Sequence, residues 1–280
     1  MFSHLLQYEF LQNAFISGML IGIIAPLLGV FVVIRRLSLI ADALSHVTLA
    51  GIAGSLLLSK KFLFFAGLNP IFLGVGASVT GALLIERLRS IFKHYEELSI
   101  PIILSSGIGL SVIFISLADG FNTDLFNYLF GSVTAVSRTD LLLIVFVTII
   151  VIGTVFFFYK EWFLLSFDEE YAVASGLSVR GLHFLFIIVV ALVIAVSMRI
   201  VGILLVSSLM TIPVAASIRI AKGFKQVVVL SIIFGEASVI LGLIVSYYLD
   251  LAPGGTIVIF SVLILLIALL WKKTTRRFTS

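Results

Sequence analysis

Apolar runs long enough to cross a bilayer follow one another through nearly the whole sequence, and they dictate what the chain can fold into. A spanning helix needs about 20 mainly apolar residues. Nine such runs occur, at approximately 14–34, 38–58, 62–85, 100–118, 141–159, 182–198, 200–218, 227–249 and 255–271. The run at 38–58 is the least hydrophobic, and in the third run residues 62–70 can lie outside the hydrocarbon. Hydrophobic residues make up 61% of the 280 positions and charged residues 11%, against about 25% charged in soluble domains. A soluble chain of this length has too much surface to hide that apolar content. The mean hydropathy of +1.28 fits lipid as the solvent. The expectation is an all-α, polytopic membrane helix bundle of about nine (eight to nine) transmembrane helices. Residues 1–280 form one transmembrane domain in this reading, with no separate soluble unit.

Charge placement gives an orientation, because Lys and Arg accumulate in cytoplasmic loops. With the N-terminus outside, fourteen of the 18 basic residues fall on the cytoplasmic side, and only Lys60, Lys61, Arg138 and Arg199 fall outside. That bias predicts an external N-terminus, a cytoplasmic C-terminus and an odd number of spans. The stretch before Ala14 has no Lys or Arg, so it lacks the basic start of a cleavable signal peptide. The first helix is expected to remain as an anchor.

Several function classes drop out. There is no cysteine, which excludes disulfides and thiolate metal ligands. No basic stripe with interleaved aromatics suggests a nucleic-acid partner. The sequence has no Gly-x4-Gly-Lys-Ser/Thr loop, no His-Glu-x-x-His and no Gly-x-Ser-x-Gly, the signatures of P-loop ATP binding, zinc proteolysis and a nucleophile elbow. The chain is therefore not expected to be an enzyme. Active transport by it would draw on an ion gradient or on a separate ATPase.

Acidic residues inside spans are costly, about 2.5–3.5 kcal/mol at the centre of a helix, and by default face a partner or a pathway. The second run reads Ser38-Leu39-Ile40-Ala41-Asp42-Ala43-Leu44-Ser45-His46. Asp42 and His46, four apart, share one helix face. Carboxylate and imidazole together suit zinc, manganese or ferrous iron. If two copies of the chain faced each other, two Asp and two His would surround one ion. The structural alternative is an Asp–His hydrogen bond that only fixes packing. Glu236, in the eighth run, is a possible pathway residue or a partner for a polar group on a neighbouring helix. His4, His94 and His183 are read as solvated or interfacial. The external loop over 119–140 holds Asp119, Asp124 and Asp140 with only Arg138 opposing, and its apolar part at 125–130 suggests an interfacial helix. Gly18/Gly22 and Ala77/Gly81 are small-xxx-small pairs that favour close helix packing.

Between the fifth and sixth runs, Asp168 can cap a short helix, with Glu169 and Glu170 favouring its dipole. Gly176 is a plausible C-terminal stop. Such a helix would either dock on a soluble partner or be a plain connection.

The chain resembles the permease subunits of the zinc/manganese ABC importers. The most specific stretch is Arg35-Arg36-Leu37-Ser38 through Asp42, Ser45 and His46 to Gly51. Further matches are Phe130-Gly131-Ser132, then Phe167-Asp168-Glu169-Glu170 through Ala174 to Gly176. Val201-Gly202 through Pro213, and Tyr247-Tyr248-Leu249-Asp250 with Pro253-Gly254, complete the set. The resemblance implies a multi-pass plasma-membrane permease working as a homodimer. It implies two cytoplasmic ATP-binding subunits and an extracellular metal-binding protein as partners. It also implies that Asp42 and His46 bind the travelling ion, and that 167–176 is the coupling helix, with Asp168, Glu169, Glu170, Ala174 and Gly176 at the ATPase contact. No cofactor is expected to be held permanently. The cargo expected first is zinc, with manganese or ferrous iron as the alternative and a metal chelate or vitamin as a further one. A gradient-driven carrier acting alone is the reading from another class.

Overall fold

The computed structural model describes residues 8–62, 67–92, 95–118, 120 and 123–277. Among them the regular structure is helical: α1 (Glu9–Ile34), α2 (Ser38–Lys61), α3 (Pro70–Ile91), α4 (Ser99–Leu117), α5 (Thr123–Phe130), α6 (Arg138–Phe167), α7 (Glu169–Ala174), α8 (Val179–Val201), α9 (Val206–Ile220), α10 (Phe224–Leu249) and α11 (Pro253–Arg277). Eight of these are long and apolar enough to cross a membrane, while α9 is a shorter apolar helix. The eight-to-nine count therefore holds, but the run at 200–218 is not one helix. Its first two residues finish α8, and α9 begins only at Val206. Fifteen residues reach about 22 Å, short of the roughly 30 Å hydrocarbon core. The expected short third span and the expected helix near 125–130 appear as α3, starting at Pro70, and α5. Asp119, His4 and His94 lie outside the described residues.

Burial sorts the helices into a core and a periphery. The most hydrophobic stretches of α1 and α8 are 72% buried, whereas those of α4, α6 and α11 are 28% buried. The outer helices present Phe146, Ile149, Phe156, Phe157 and Ile267 outward, as lipid-facing helices with apolar residues on every side do. At the centre, Phe31 of α1 meets Trp162 of α6 and Phe186 of α8 edge to face.

Glycines decide where helices touch. A side chain at Gly18 would meet Leu243 and Val239, and one at Gly22 would meet Glu236, so these positions admit α10 against α1. Gly51 and Gly81 likewise seat α2 against α3, at Ala77 and at Val47.

One end of the bundle gathers Arg35, Glu86, Arg89, Glu96 and His183; it is called the basic end below. The other end joins Lys60 to the Ala118 carbonyl, Asn69 to Asp140, and Asp140 to Arg199. α1 runs toward the basic end and α11 starts at the opposite one, where Gly254 lies against Val201 and Phe130. The start of α1 and the end of α11 thus lie toward opposite ends of the bundle.

The break between α8 and α9 places open backbone inside the bundle, and protein closes it. Ile203 N–H donates to the Tyr128 carbonyl (2.9 Å), and Ser132 N–H donates to the Arg199 carbonyl (3.1 Å). Gly131 and Gly202 have positive φ (+78° and +83°), and each backbone lies against the other segment's carbonyls. Gly254 packs onto Val201 and Phe130 at the same point. Non-helical backbone survives at membrane depth only when protein satisfies it in this way. Gly202→Ala puts a Cβ 2.5 Å from the Leu129 carbonyl oxygen at a left-handed φ. It is expected to lower stability by about 2–3 kcal/mol. Gly153→Ala, a helical position with open space around it, should stabilise by about 0.5 kcal/mol. Thermal unfolding of the purified chain in detergent checks both; equal melting temperatures for the two variants would refute the account of the junction.

Candidate functional site

α2 carries the two residues with ligand chemistry, and its neighbours fix where they point. Thr48 Oγ1 donates to the Leu44 carbonyl within the helix (2.6 Å). Ser111 of α4 donates to the carbonyl of His46 (3.1 Å). Gly107 of α4 lies so close that a Cβ there would stand 3.1 Å from the His46 carbonyl carbon. α4 therefore presses directly on the backbone beneath His46. Asp42 and His46 are both half-buried and interact electrostatically with each other. Among the described residues neither side chain has a hydrogen bond or ion pair. Leu39, one turn before Asp42 on the same side, is 57% exposed. On this side of α2 exposure falls from Leu39, through half-buried Asp42 and His46, to Leu49 and Ala50, both 5% exposed.

Two ligand-type side chains do not complete a metal site. Among the described residues no group of three or more His, Asp or Glu is placed to hold an ion. Further donors would have to come from water or from another chain.

Glu236 goes elsewhere. Its carboxyl packs over Gly22 of α1, and its Oε1 is buried without a hydrogen-bond partner. Pro26, four residues past Gly22, has no N–H to offer the Gly22 carbonyl, and Gly235 sits against that carbonyl and the proline ring. Glu236 therefore belongs to the α1–α10 contact and is not gathered with Asp42 and His46.

The segment after α6 folds as a compact turn of helix. Asp168 accepts from the N–H of Tyr171 (2.8 Å) as the N-cap of α7. Glu169 and Glu170 occupy the first turn, and Gly176 takes a positive φ of +82°. Ala172 is buried, while Phe167, Tyr171 and Val173 are exposed by 58–60%. Glu169 also lines a cleft of about 920 Å³ at the basic end, with Arg35, Glu86, Arg89, Glu96 and His183.

Two sequence expectations need correction. His183 is not solvated: it is 5% exposed, with Arg35 at Nδ1 and Arg89 at Nε2. Burial, reinforced by neighbouring Arg89, lowers the pKa of Arg35 to about 10, so it stays charged at neutral pH. Asp140 is not a solvated acid of the external loop. It is fully buried, paired with Arg199 Nε (3.2 Å) and accepting from Asn69 Nδ2 (2.8 Å) and Ser137 Oγ (2.7 Å). Ser137 and Asp140 form a capping box at the start of α6. Arg199 also lies over the ring of Tyr128 at 4.8 Å. The signal that could have found this pair is an arginine at the end of an otherwise apolar run. Its partner lies 59 residues away in sequence, beyond local pattern.

The architecture is that of a polytopic membrane helix bundle with eight candidate spanning helices among the described residues. The chain matches the ABC 3 transport family over residues 7–272, and it belongs to that family. It is 35% identical to the manganese transport system membrane protein MntC of Listeria monocytogenes, over 95% of this chain and 92% of that one. It is 33% identical to the high-affinity zinc uptake system membrane protein ZnuB of Haemophilus influenzae, over 95% and 99%. Among solved structures, PsaBC from Streptococcus pneumoniae in complex with Fab superposes with a TM-score of 0.82 at 31% identity, over 95% of this chain and 93% of that chain.

Removing one partner of a buried ion pair strands the other charge, at about 3–5 kcal/mol. Arg199→Ala is therefore expected to lower the stability of the purified chain by that amount in a detergent melt. Adding Asp140→Asn should recover part of the loss. No change on Arg199→Ala would contradict the role assigned to the pair.

Proposed function

We propose that the chain is the membrane permease of an ATP-driven importer of a divalent transition-metal ion, with Asp42 and His46 on the ion's path. The observation that carries this is the pair itself: two half-buried ligand groups on one face of α2 that no other described side chain hydrogen-bonds or ion-pairs. A second copy of the chain covering that face would bring a second Asp and His and make a four-donor site. Mixed nitrogen and oxygen donors without thiolate bind firmly enough to select a cation and loosely enough to release it, as a transport site requires. The relatives named for manganese and zinc support a metal cargo. Zinc is the cargo we assign, since imidazole suits it. Manganese is the second reading, supported by the carboxylate and by the manganese-named relative being the more similar of those two.

The remaining parts follow from the same reading. α7, with Asp168, Glu169, Glu170, Ala174 and Gly176, is the coupling helix, and its exposed Phe167, Tyr171 and Val173 are the apolar contacts that a cytoplasmic ATPase would cover. The basic end is then cytoplasmic, the N-terminus external, and an extracellular metal-binding protein delivers the ion at the Asp140 end. Movement of α7 driven by the ATPase rocks the bundle, and the ion leaves Asp42 and His46 toward the basic end.

Cells lacking this chain and starved of metal, re-expressing wild type or a variant, test the reading through their total zinc, manganese and iron. Wild type should restore zinc, and Asp42→Ala or His46→Ala should restore about a tenth or less at equal membrane levels. Restoration of manganese or iron instead would move the cargo and keep the machine. Wild-type uptake by both alanine variants would remove Asp42 and His46 from the path.

A further inference from the structure

The elbow between α1 and α2 is held in an unusual way. Arg36 sits at φ +57°, a left-handed conformation that costs an L side chain about 1–2 kcal/mol. Leu37 N–H reaches back to the Val32 carbonyl (2.8 Å) and closes the turn. Arg35, just before it, points inward. Its guanidinium lies over the ring of Phe186 at 5.1 Å and reaches Nδ1 of His183 one turn earlier on α8. The direction in which α2 leaves the elbow therefore depends on how Arg35 is anchored to α8.

His183 is contacted by more donors than it can serve. Arg35 approaches Nδ1 and Arg89 approaches Nε2, yet an imidazole has at most one nitrogen that accepts. Glu86 Oε2 lies 3.2 Å from Nε2 and 3.9 Å from Arg89 Nη1, and is buried without a hydrogen bond. One arrangement satisfies this chemistry: Nδ1 accepts from Arg35, and Nε2–H donates to Glu86. Arg89 then turns to Glu96, which it already meets at 2.7 Å. His183 thus bridges the elbow, through Arg35, to α3, through Glu86. The fourth neighbour is α7: Glu169 lines the same cleft and interacts electrostatically with Arg35.

We infer that Arg35 and His183 form the joint through which displacement of α7 re-aims α2, and with it Asp42 and His46. This rests on the reading of Asp42 and His46 as the ion site. Arg35 and His183 are positioning residues: they do not touch the ion, and they set the direction of the helix that does. A shift of α7 carries the Glu169 carboxylate relative to Arg35, and Arg35 can follow only by changing its hold on His183. The elbow, already strained at Arg36, gives where Arg35 moves.

The test uses the complete transporter, with its ATPase and binding protein, in liposomes, and reads metal accumulated per ATP hydrolysed. His183→Ala should lower that ratio about tenfold while ATP hydrolysis continues. His183→Gln keeps an oxygen to accept from Arg35 and an N–H to donate to Glu86, and it should regain most of the ratio. Glu169→Gln, at an exposed position where folding is not at stake, should lower the ratio about threefold. Wild-type ratios in His183→Ala and Glu169→Gln would overturn the joint. So would a His183→Gln variant no better than His183→Ala, which would reduce His183 to packing. Equilibrium binding of zinc and manganese to the purified permease separates the two readings. Loss of binding in Asp42→Ala alongside intact coupling in His183→Ala sinks the joint alone. Undiminished binding in Asp42→Ala sinks the ion site and the joint with it.

Discussion

Hydrocarbon offers no hydrogen bonds, so every backbone N–H and C=O at membrane depth needs a partner within the protein. Helices meet that demand by themselves, and this is why the described chain is helical nearly throughout. Between α8 and α9 the chain leaves the helix at Gly202, and its open groups are taken up by the end of α5. Gly131, Gly202 and Gly254, from three distant parts of the sequence, bring backbone against backbone there. α9 can be shorter than a membrane span because this junction covers the missing depth.

α8 is the post on which the rest is hung. It is mostly buried, and a charge network grips it at each end: His183 among Arg35, Arg89 and Glu86, and Arg199 with Asp140. The two networks do different jobs. Asp140 and Arg199 are closed, fully partnered and backed by a helix cap, so they fix the start of α6 to the end of α8. The His183 network is over-supplied with donors and reaches both the elbow and α7, so it is held through Arg35 rather than closed on itself. Buried polar groups are costly when left unpaired, so moving Arg35 away from His183 obliges the whole network to re-pair.

The ion reading depends on incompleteness of another kind. Among the described residues one chain brings together an aspartate and a histidine without a third ligand, both half-buried. A closed site within one chain would hold its ion; a site finished by a second chain can open when the two chains move apart.

Much of this was legible in the sequence. Length and apolarity of the runs settle the fold class, because lipid tolerates few alternatives. The i, i+4 spacing places Asp42 and His46 on one face wherever the helix goes. Asp168, Glu169 and Gly176 mark a short helix, since caps and stops act over a few residues. What the sequence did not reveal is set by contacts between distant segments. The split of the run at 200–218 depends on carbonyls from α5, and hydropathy does not sense it. Asp140 reads as a loop acid until Arg199 arrives from the far end of α8. His183 reads as interfacial until Arg35 and Arg89 close over it. Glu236 left two readings from sequence, a pathway residue or a partner in helix packing, and the fold sets its carboxyl against Gly22. Local chemistry and the solvent thus determined which segments are helices and which side chains could bind an ion; only the tertiary structure decided which polar groups are spent on each other and which remain free.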